Sequence, residues 1–405
     1  MLPHGCIEPS ALYEALAASR GHPDAPPTLY GGLAFGDYAF LGPGLKGEPA
    51  ETGGLGPGYR YVTWQVGPRI RHLARGGRIG ILPLRFRDIP RVFGPGGRLE
   101  ADVAVIQCSP PRDGTVSLGI SCSIFPSVIA AAKLVIAEIH PDMPYTEGCT
   151  EVPVDMIDVA VDATAPLGTL ARAEPDEVDR RIIERVLRLV PEGAWVQLGV
   201  GAIPDALLPR LSDVPGVNLH SGMLSDGLMD FLEAAPPTAR VVTGEIEGSH
   251  EMYRRSATDP RVSFQPTTVI HDVPHLAQLE RFVSINSAIE VDLDGQVNGE
   301  TIDGVQVSGV GGSLDFVEAA RYSPGGRSII ALRSTAKNRS RIVDRLTTGT
   351  AVTVPRFAVD VVVTEHGVAE LTGLDLRERA EALIAIAAPE ARDELRARAR
   401  ERHGG

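Results

Sequence analysis

Short apolar runs alternate along this chain with segments whose apolar residues recur at helical spacing. Ile79 to Leu84, Ala101 to Gln107 and Leu134 to Ile139 predict strands, and Pro126 to Ala132 predicts a helix between two of them. Asp162 to Pro175 (DATAPLGTLARAEP) has proline and glycine breaks and no period, so it reads as a linker. After it, Pro175 suits a helix start. Asp176, Glu177 and Asp179 match the positive end of a helix, and Val178, Ile182, Val186 and Leu189 recur at helical spacing. Trp195 to Val200 predicts the next strand. Ser328 to Leu332, Ala351 to Val354 and Val359 to Thr364 predict later strands, Leu376 to Ala387 a helix, and Pro389 to Arg402 a charged, exposed helix. Alternation of this kind predicts α/β architecture with mostly parallel sheets, in two domains, 1–168 and 169–405.

Composition narrows the function classes. The 405 residues carry a formal net charge of -13, which argues against non-specific nucleic-acid binding. An anionic ligand would need a local basic patch. No apolar run reaches the ~18 residues of a membrane span, and the first twenty residues lack the basic start and apolar core of a signal peptide. A cytoplasmic protein with no membrane partner is therefore expected. Cys6, Cys108, Cys122 and Cys149 have no metal-like spacing and read as reduced thiols; His4, His220 and His250 have no metal-ligand spacing either, so no metal is expected.

The densest chemical signal runs from Val283 to Phe316 (VSINSAIEVDLDGQVNGETIDGVQVSGVGGSLDF). It contains a buried-type strand, an alternating strand from Ile289 to Leu293, an Asp294-Gly295 turn, and a loop with Gly309, Gly311 and Gly312. Glycines let backbone N–H groups approach a phosphate or a developing oxyanion, although a simple bulge or hairpin loop uses them too. A second such loop, Gly199 to Gly201 followed by Pro204, joins a strand to a helix; a tight turn with no ligand is the competing reading. Arg333, Lys337, Arg339 and Arg341 form a basic cluster that would otherwise be a solvated turn.

These segments together resemble the acetyl-CoA hydrolase/transferase family, which includes 4-hydroxybutyrate and succinate–acetate CoA-transferases. The resemblance is carried by Leu198 to Leu207 (LGVGAIPDAL), Leu219 to Asp230 (LHSGMLSDGLMD), Val283 to Phe316, Ser334 to Lys337 (STAK) and Val361 to Leu371 (VVVTEHGVAEL). His4 to Pro9 (HGCIEP), Ile106 to Gly119 (IQCSPPRDGTVSLG) and Val135 to Tyr145 extend it through the N-terminal half. It implies two CoA-transferase-type open α/β domains, with the acyl thioester of coenzyme A held in the cleft between them, and a homodimer. It also implies that Gly199, Gly201, Gly309 and Gly311 border coenzyme A. Lys337 would meet the nucleotide phosphates and the Gly312 N–H would lie in the oxyanion hole. A donor of that kind stabilises a transition state by about 3 kcal/mol.

One position departs from the pattern. Transferases of the family carry a nucleophilic glutamate in the motif that here reads Leu219-His220-Ser221-Gly222-Met223, and its place is taken by Gly222. Glycine has no side chain to acylate. Glu245 and Glu247 lie two residues apart on one predicted strand face and could supply a relocated carboxylate or base; an edge strand with a solvated acidic face is the competing reading. His271 falls where transferases carry an asparagine of the oxyanion hole. It could donate to an oxyanion or act as a general base, oriented by Asp272 if the pair lies in a turn. Glu290, Glu365, Cys6 and Cys108 are weaker candidates. The expected activity is direct attack on a bound acyl thioester by water or another acceptor. A transferase with a moved nucleophile and a silent CoA-binding protein are the alternatives.

Overall fold

The apolar run Leu134–Ile139 forms a strand, and Val103–Cys108 pairs with it in parallel. Parallel neighbours need a crossover, and the helix Phe125–Ala131 lies in the connection between them. Val159–Asp162 adds a third parallel strand. The computed structural model describes residues 1–19, 25–36, 38–41, 58–172, 174–199 and 201–403. It divides into two compact units. One comprises Met1–Ala171, Thr243–Ile270 and Val305–Gly311; the other comprises Arg172–Val242, His271–Gly304 and Gly312–Gly405.

The first unit holds a second parallel sheet, made of Thr28–Gly31, Arg60–Thr63 and Gly80–Ile81. The predicted strand over Ile79 to Leu84 is thus only two residues long. In the core beside it Tyr13, Tyr38, Phe40 and Tyr61 pack with aliphatic residues such as Ile70 and Leu73.

In the second unit the strands run in the order Asn218–Leu224, Trp195–Leu198, Phe282–Asn286, Arg327–Ala331, Val361–Thr364 and Gly367–Glu370. Neighbours are parallel up to Val361–Thr364, and the last pair is antiparallel. Phe282–Asn286 is buried along its whole length, as a central strand covered on both faces must be.

The first helix of this unit, Glu177–Leu187, starts two residues later than Pro175 predicts. Asp176 is the N-cap, accepting from the Val178 and Asp179 N–H groups, and Asp179 returns the bond to the Asp176 N–H. A reciprocal cap of this kind satisfies donors that a proline cannot. Leu376–Ile386 is capped in the same way by Asp375 and Glu378. The predicted strand over Ala351 to Val354 does not form. Val354 makes one isolated bridge to Val297, and Pro355 has no N–H with which to continue a ladder. The last helix, Arg392–His403, is not wholly exposed. Leu395 and Ala399 join a core with Leu383, Ile384 and Val362, and Arg402 reaches Asp294 at 2.7 Å. No helix among the described residues is long and apolar enough to cross a membrane.

Candidate functional site

The strand Asn218–Leu224 carries the motif in which the resemblance implies a carboxylate at the place of Gly222. Side chains alternate along a strand, so His220 and Gly222 share one face and Ser221 points the other way. Ser221 donates its hydroxyl to the Leu198 and Met223 carbonyls at 2.9 Å, which ties the strand to its neighbour. The face with Gly222 looks at an imidazole. A Cβ placed on Gly222 would lie 3.3 Å from His271 Nε2, 3.6 Å from His271 Cε1 and 3.9 Å from Phe316 Cε2.

Gly312 meets the same imidazole from another side. It caps the helix Ser313–Tyr322, and a Cβ there would lie 2.1 Å from His271 Cε1. Gly312 therefore has to be glycine for His271 to occupy its place. The Phe316 ring lies 4.6 Å from the imidazole, centroid to centroid, tilted by 43°. Both neighbours belong to the start of one helix, so the imidazole is held between the Gly312 backbone and the Phe316 ring.

His271 is 4% exposed, and its Nδ1 lies 3.2 Å from Asp315 Oδ2. Asp315 is 0% exposed and sits in the first turn of Ser313–Tyr322. It, and not Asp272, is the carboxylate against His271. Asp272 lies in the turn between the short helices Thr267–Ile270 and Val273–Leu276. The unit thus brings Gly222, His271, Gly312, Asp315 and Phe316 together. Asp315 and Phe316 were not singled out in the sequence. The spacing of Gly312, Asp315 and Phe316 at a helix start was the available signal, since a capping glycine and residues of its first turn share one locale.

The other glycines divide by cause. Gly199 follows the strand Trp195–Leu198, and a Cβ on it would come 3.0 Å from Asn286 Oδ1. Gly201 has φ +132, and a Cβ built on it would meet nothing within 4 Å beyond its chain neighbours, at the start of Ala202–Leu207. In the first unit, a Cβ on Gly309 would strike the Trp64 carbonyl oxygen at 2.1 Å, so backbone packing alone requires that glycine. Gly311 has φ +60, and its carbonyl accepts from the Phe86 N–H at 3.0 Å.

Lys337 and Asn338 form the two-residue turn of a hairpin between Thr335–Ala336 and Arg339–Ser340, both at positive φ. Lys337 is exposed. Arg339 is exposed too, whereas Arg333 and Arg341 are more committed. Arg333 is held by Asp179 at 2.6 and 2.9 Å and by Asp176 at 2.9 Å, and Arg341 donates to the Ile289 and Ala288 carbonyls.

Glu245 and Glu247 do not form a solvated face. Both are buried in the first unit. Glu245 accepts from the Ser121 hydroxyl at 3.0 Å and lies 3.2 Å from His4 Nε2. Glu247 packs its carboxylate against Gly5, where a Cβ would meet Oε1 at 1.9 Å. The strand Val241–Ile246 ends one residue before Glu247, so the two acids do not share a strand face as predicted; the His4–Gly5 segment covers both. Among the weaker candidates, Glu290 accepts from the Asn298 amide and Glu365 from the Ser334 N–H and hydroxyl. Burial pushes the Cys108 thiol up to about 12 and raises Cys6 further, so both stay protonated and are poor nucleophiles at neutral pH. Among the described residues no group of three His, Cys, Asp or Glu side chains could hold a metal ion.

Comparison with known proteins gives a consistent picture. Residues 55–167 match the model of the acetyl-CoA hydrolase/transferase N-terminal domain, and residues 248–399 match that of the C-terminal domain. The chain is 38% identical over 403 residues to the 4-hydroxybutyrate coenzyme A transferase of Clostridium kluyveri, covering 97% of this chain and 91% of that protein. The crystal structure of RipA from Yersinia pestis superposes with a TM-score of 0.89 at 30% identity, covering 99% of this chain and 93% of that one. The 4-hydroxybutyrate CoA-transferase of Porphyromonas gingivalis superposes with a TM-score of 0.78 at 30% identity, over 98% and 92% of the two chains.

Proposed function

The chain belongs to the acetyl-CoA hydrolase/transferase family and is an acyl-CoA transferase or hydrolase; from that premise we propose that it hydrolyses a bound acyl-CoA thioester by direct attack of water, with His271 as general base. The observation that carries this reading is the imidazole beside Gly222. Where the family resemblance implies a glutamate side chain, a nitrogen base sits 3.3 Å from the position of its Cβ.

In this mechanism His271 Nε2 takes a proton from water as the water oxygen bonds to the thioester carbonyl carbon. The carbonyl oxygen becomes an oxyanion and accepts a hydrogen bond from the Gly312 N–H. Collapse of the intermediate breaks the C–S bond, and the imidazolium returns its proton to the departing sulfur. The products are a carboxylic acid and CoA thiol. General base catalysis contributes roughly 10²- to 10⁴-fold, and each oxyanion donor about 3 kcal/mol. Another hydroxylic acceptor in place of water would make the same site an acyltransferase. Relocation of the nucleophile has less support, because Glu245 already engages Ser121 and His4.

The test is a panel of acyl-CoA thioesters incubated with and without acetate, following free CoA and exchange of CoA between acids. Release of CoA that does not depend on acetate is expected. Exchange that requires acetate, with no hydrolysis, would remove the proposal in favour of a moved nucleophile.

Gly199, Gly201, Gly311 and Lys337 are proposed to bind coenzyme A, with Lys337 on its nucleotide phosphates. An exposed ammonium at a hairpin tip is a point-charge partner for phosphate. Lys337→Ala is therefore expected to weaken CoA by about 3- to 10-fold, the scale of one charge-assisted contact, while leaving pantetheine unchanged. Calorimetry with both ligands checks this, and equal losses would show that Lys337 lies elsewhere.

A further inference from the structure

We propose that Asp315 is a positioning residue that keeps the proton of His271 on Nδ1, so that the lone pair of Nε2 faces Gly222. The inference rests on the reading of His271 as a base and goes one step beyond it, because it decides between two roles for the same ring. A neutral imidazole carries one N–H. If that proton were on Nε2, His271 would be a donor toward the Gly222 space and would serve an oxyanion, as the asparagine implied by the family resemblance does. If it is on Nδ1, Nε2 is an acceptor and serves as a base.

Three observations favour Nδ1. Asp315 Oδ2 lies 3.2 Å from that nitrogen, too oblique for a hydrogen bond, so its negative charge is what favours a proton there. Asp315 is 0% exposed and His271 4%, so the carboxylate acts on the ring with little water to screen it. The ring also cannot readily turn over. Gly312 and Phe316 hold its edge and face, and a half-turn about Cβ–Cγ would carry Nδ1 away from Asp315. An acid in the first turn of a helix has a bland explanation, attraction to the positive end of the helix. That explanation accounts for its charge but not for a fully buried carboxylate against a ring nitrogen.

The experiment is nitrogen NMR on the full chain labelled at histidine, with the His271 signals assigned by their loss in His271→Gln. The wild-type protein, above the pH at which His271 loses its second proton, is expected to show the Nδ1–H form. Asp315→Asn, close in volume, is expected to raise the share of the Nε2–H form. It should also lower kcat for hydrolysis by roughly 10²- to 10⁴-fold with little change in KM, the pattern for an orienting carboxylate behind a catalytic histidine. A wild-type ring already in the Nε2–H form, or an unchanged tautomer in a folded Asp315→Asn, overturns the proposal. The wild-type spectrum decides even if the variant fails to fold. A tautomer that shifts as expected in a protein that hydrolyses no acyl-CoA would uphold Asp315 and remove the base reading instead.

Discussion

Replacing His271 with glutamine is expected to lower kcat for thioester hydrolysis by roughly 10²- to 10⁴-fold, the range for loss of a positioned general base. Glutamine keeps a polar side chain of similar length in the wedge between Gly312 and Phe316, so the fold should hold. It cannot take a proton from water. Binding of the intact thioester is expected to change little, because the contacts proposed for coenzyme A lie at Lys337 and the glycine loops. Steady-state kinetics with the best acyl-CoA of the panel, alongside thermal denaturation, checks the split. A folded variant with undiminished kcat would mean that His271 does not touch the reacting water.

The second large effect concerns the vacancy. Gly222→Glu alone is expected to abolish hydrolysis without creating a transferase. Gly222 lies inside the strand Asn218–Leu224 and is not at positive φ, so a side chain there suffers no left-handed strain. The obstacle is His271. The Cβ of the new residue would already sit 3.3 Å from Nε2, and its carboxylate would pair with the imidazole and hold it protonated. The double variant Gly222→Glu with His271→Asn removes that obstacle. It restores the carboxylate and the amide that the family resemblance implies at these two positions. It is expected to show acetate-dependent CoA exchange, with a glutamyl adduct at position 222 that borohydride or hydroxylamine can trap. The Gly312 N–H would serve both chemistries, since each passes through an oxyanion at the same carbonyl. A folded double variant that binds acyl-CoA but gives neither exchange nor adduct would count against placing Gly222 beside the thioester.

Much of the framework was legible without coordinates. The period of apolar residues located Leu134–Ile139, Arg327–Ala331 and Leu376–Ile386 to within a residue or two, because burial of one face or both imposes that period on any sequence that forms the element. The order of the motifs identified the family, and it marked Gly222 as the position where the resemblance implies a carboxylate. Local punctuation was less reliable. Pro175 looked like a helix start, yet Asp176 and Asp179 satisfy the helix donors instead. Ala351 to Val354 looked like a strand, yet Val354 finds only one bridge partner before Pro355.

What surrounds a side chain was decided by tertiary structure alone. Glu245 and Glu247 would share a face in a continuous strand, but the strand stops at Ile246, and the approach of His4 and Gly5 buries both carboxylates. His271 had a carboxylate next to it in the chain and a different one next to it in space. Asp272 lies in the turn between two short helices and is not the carboxylate against the ring. Asp315 converges because the helix capped by Gly312 carries its first turn to the imidazole. Sequence determines which groups are available and on which face of an element they lie; contacts between elements distant in the chain arise from packing, whose geometry no local period encodes.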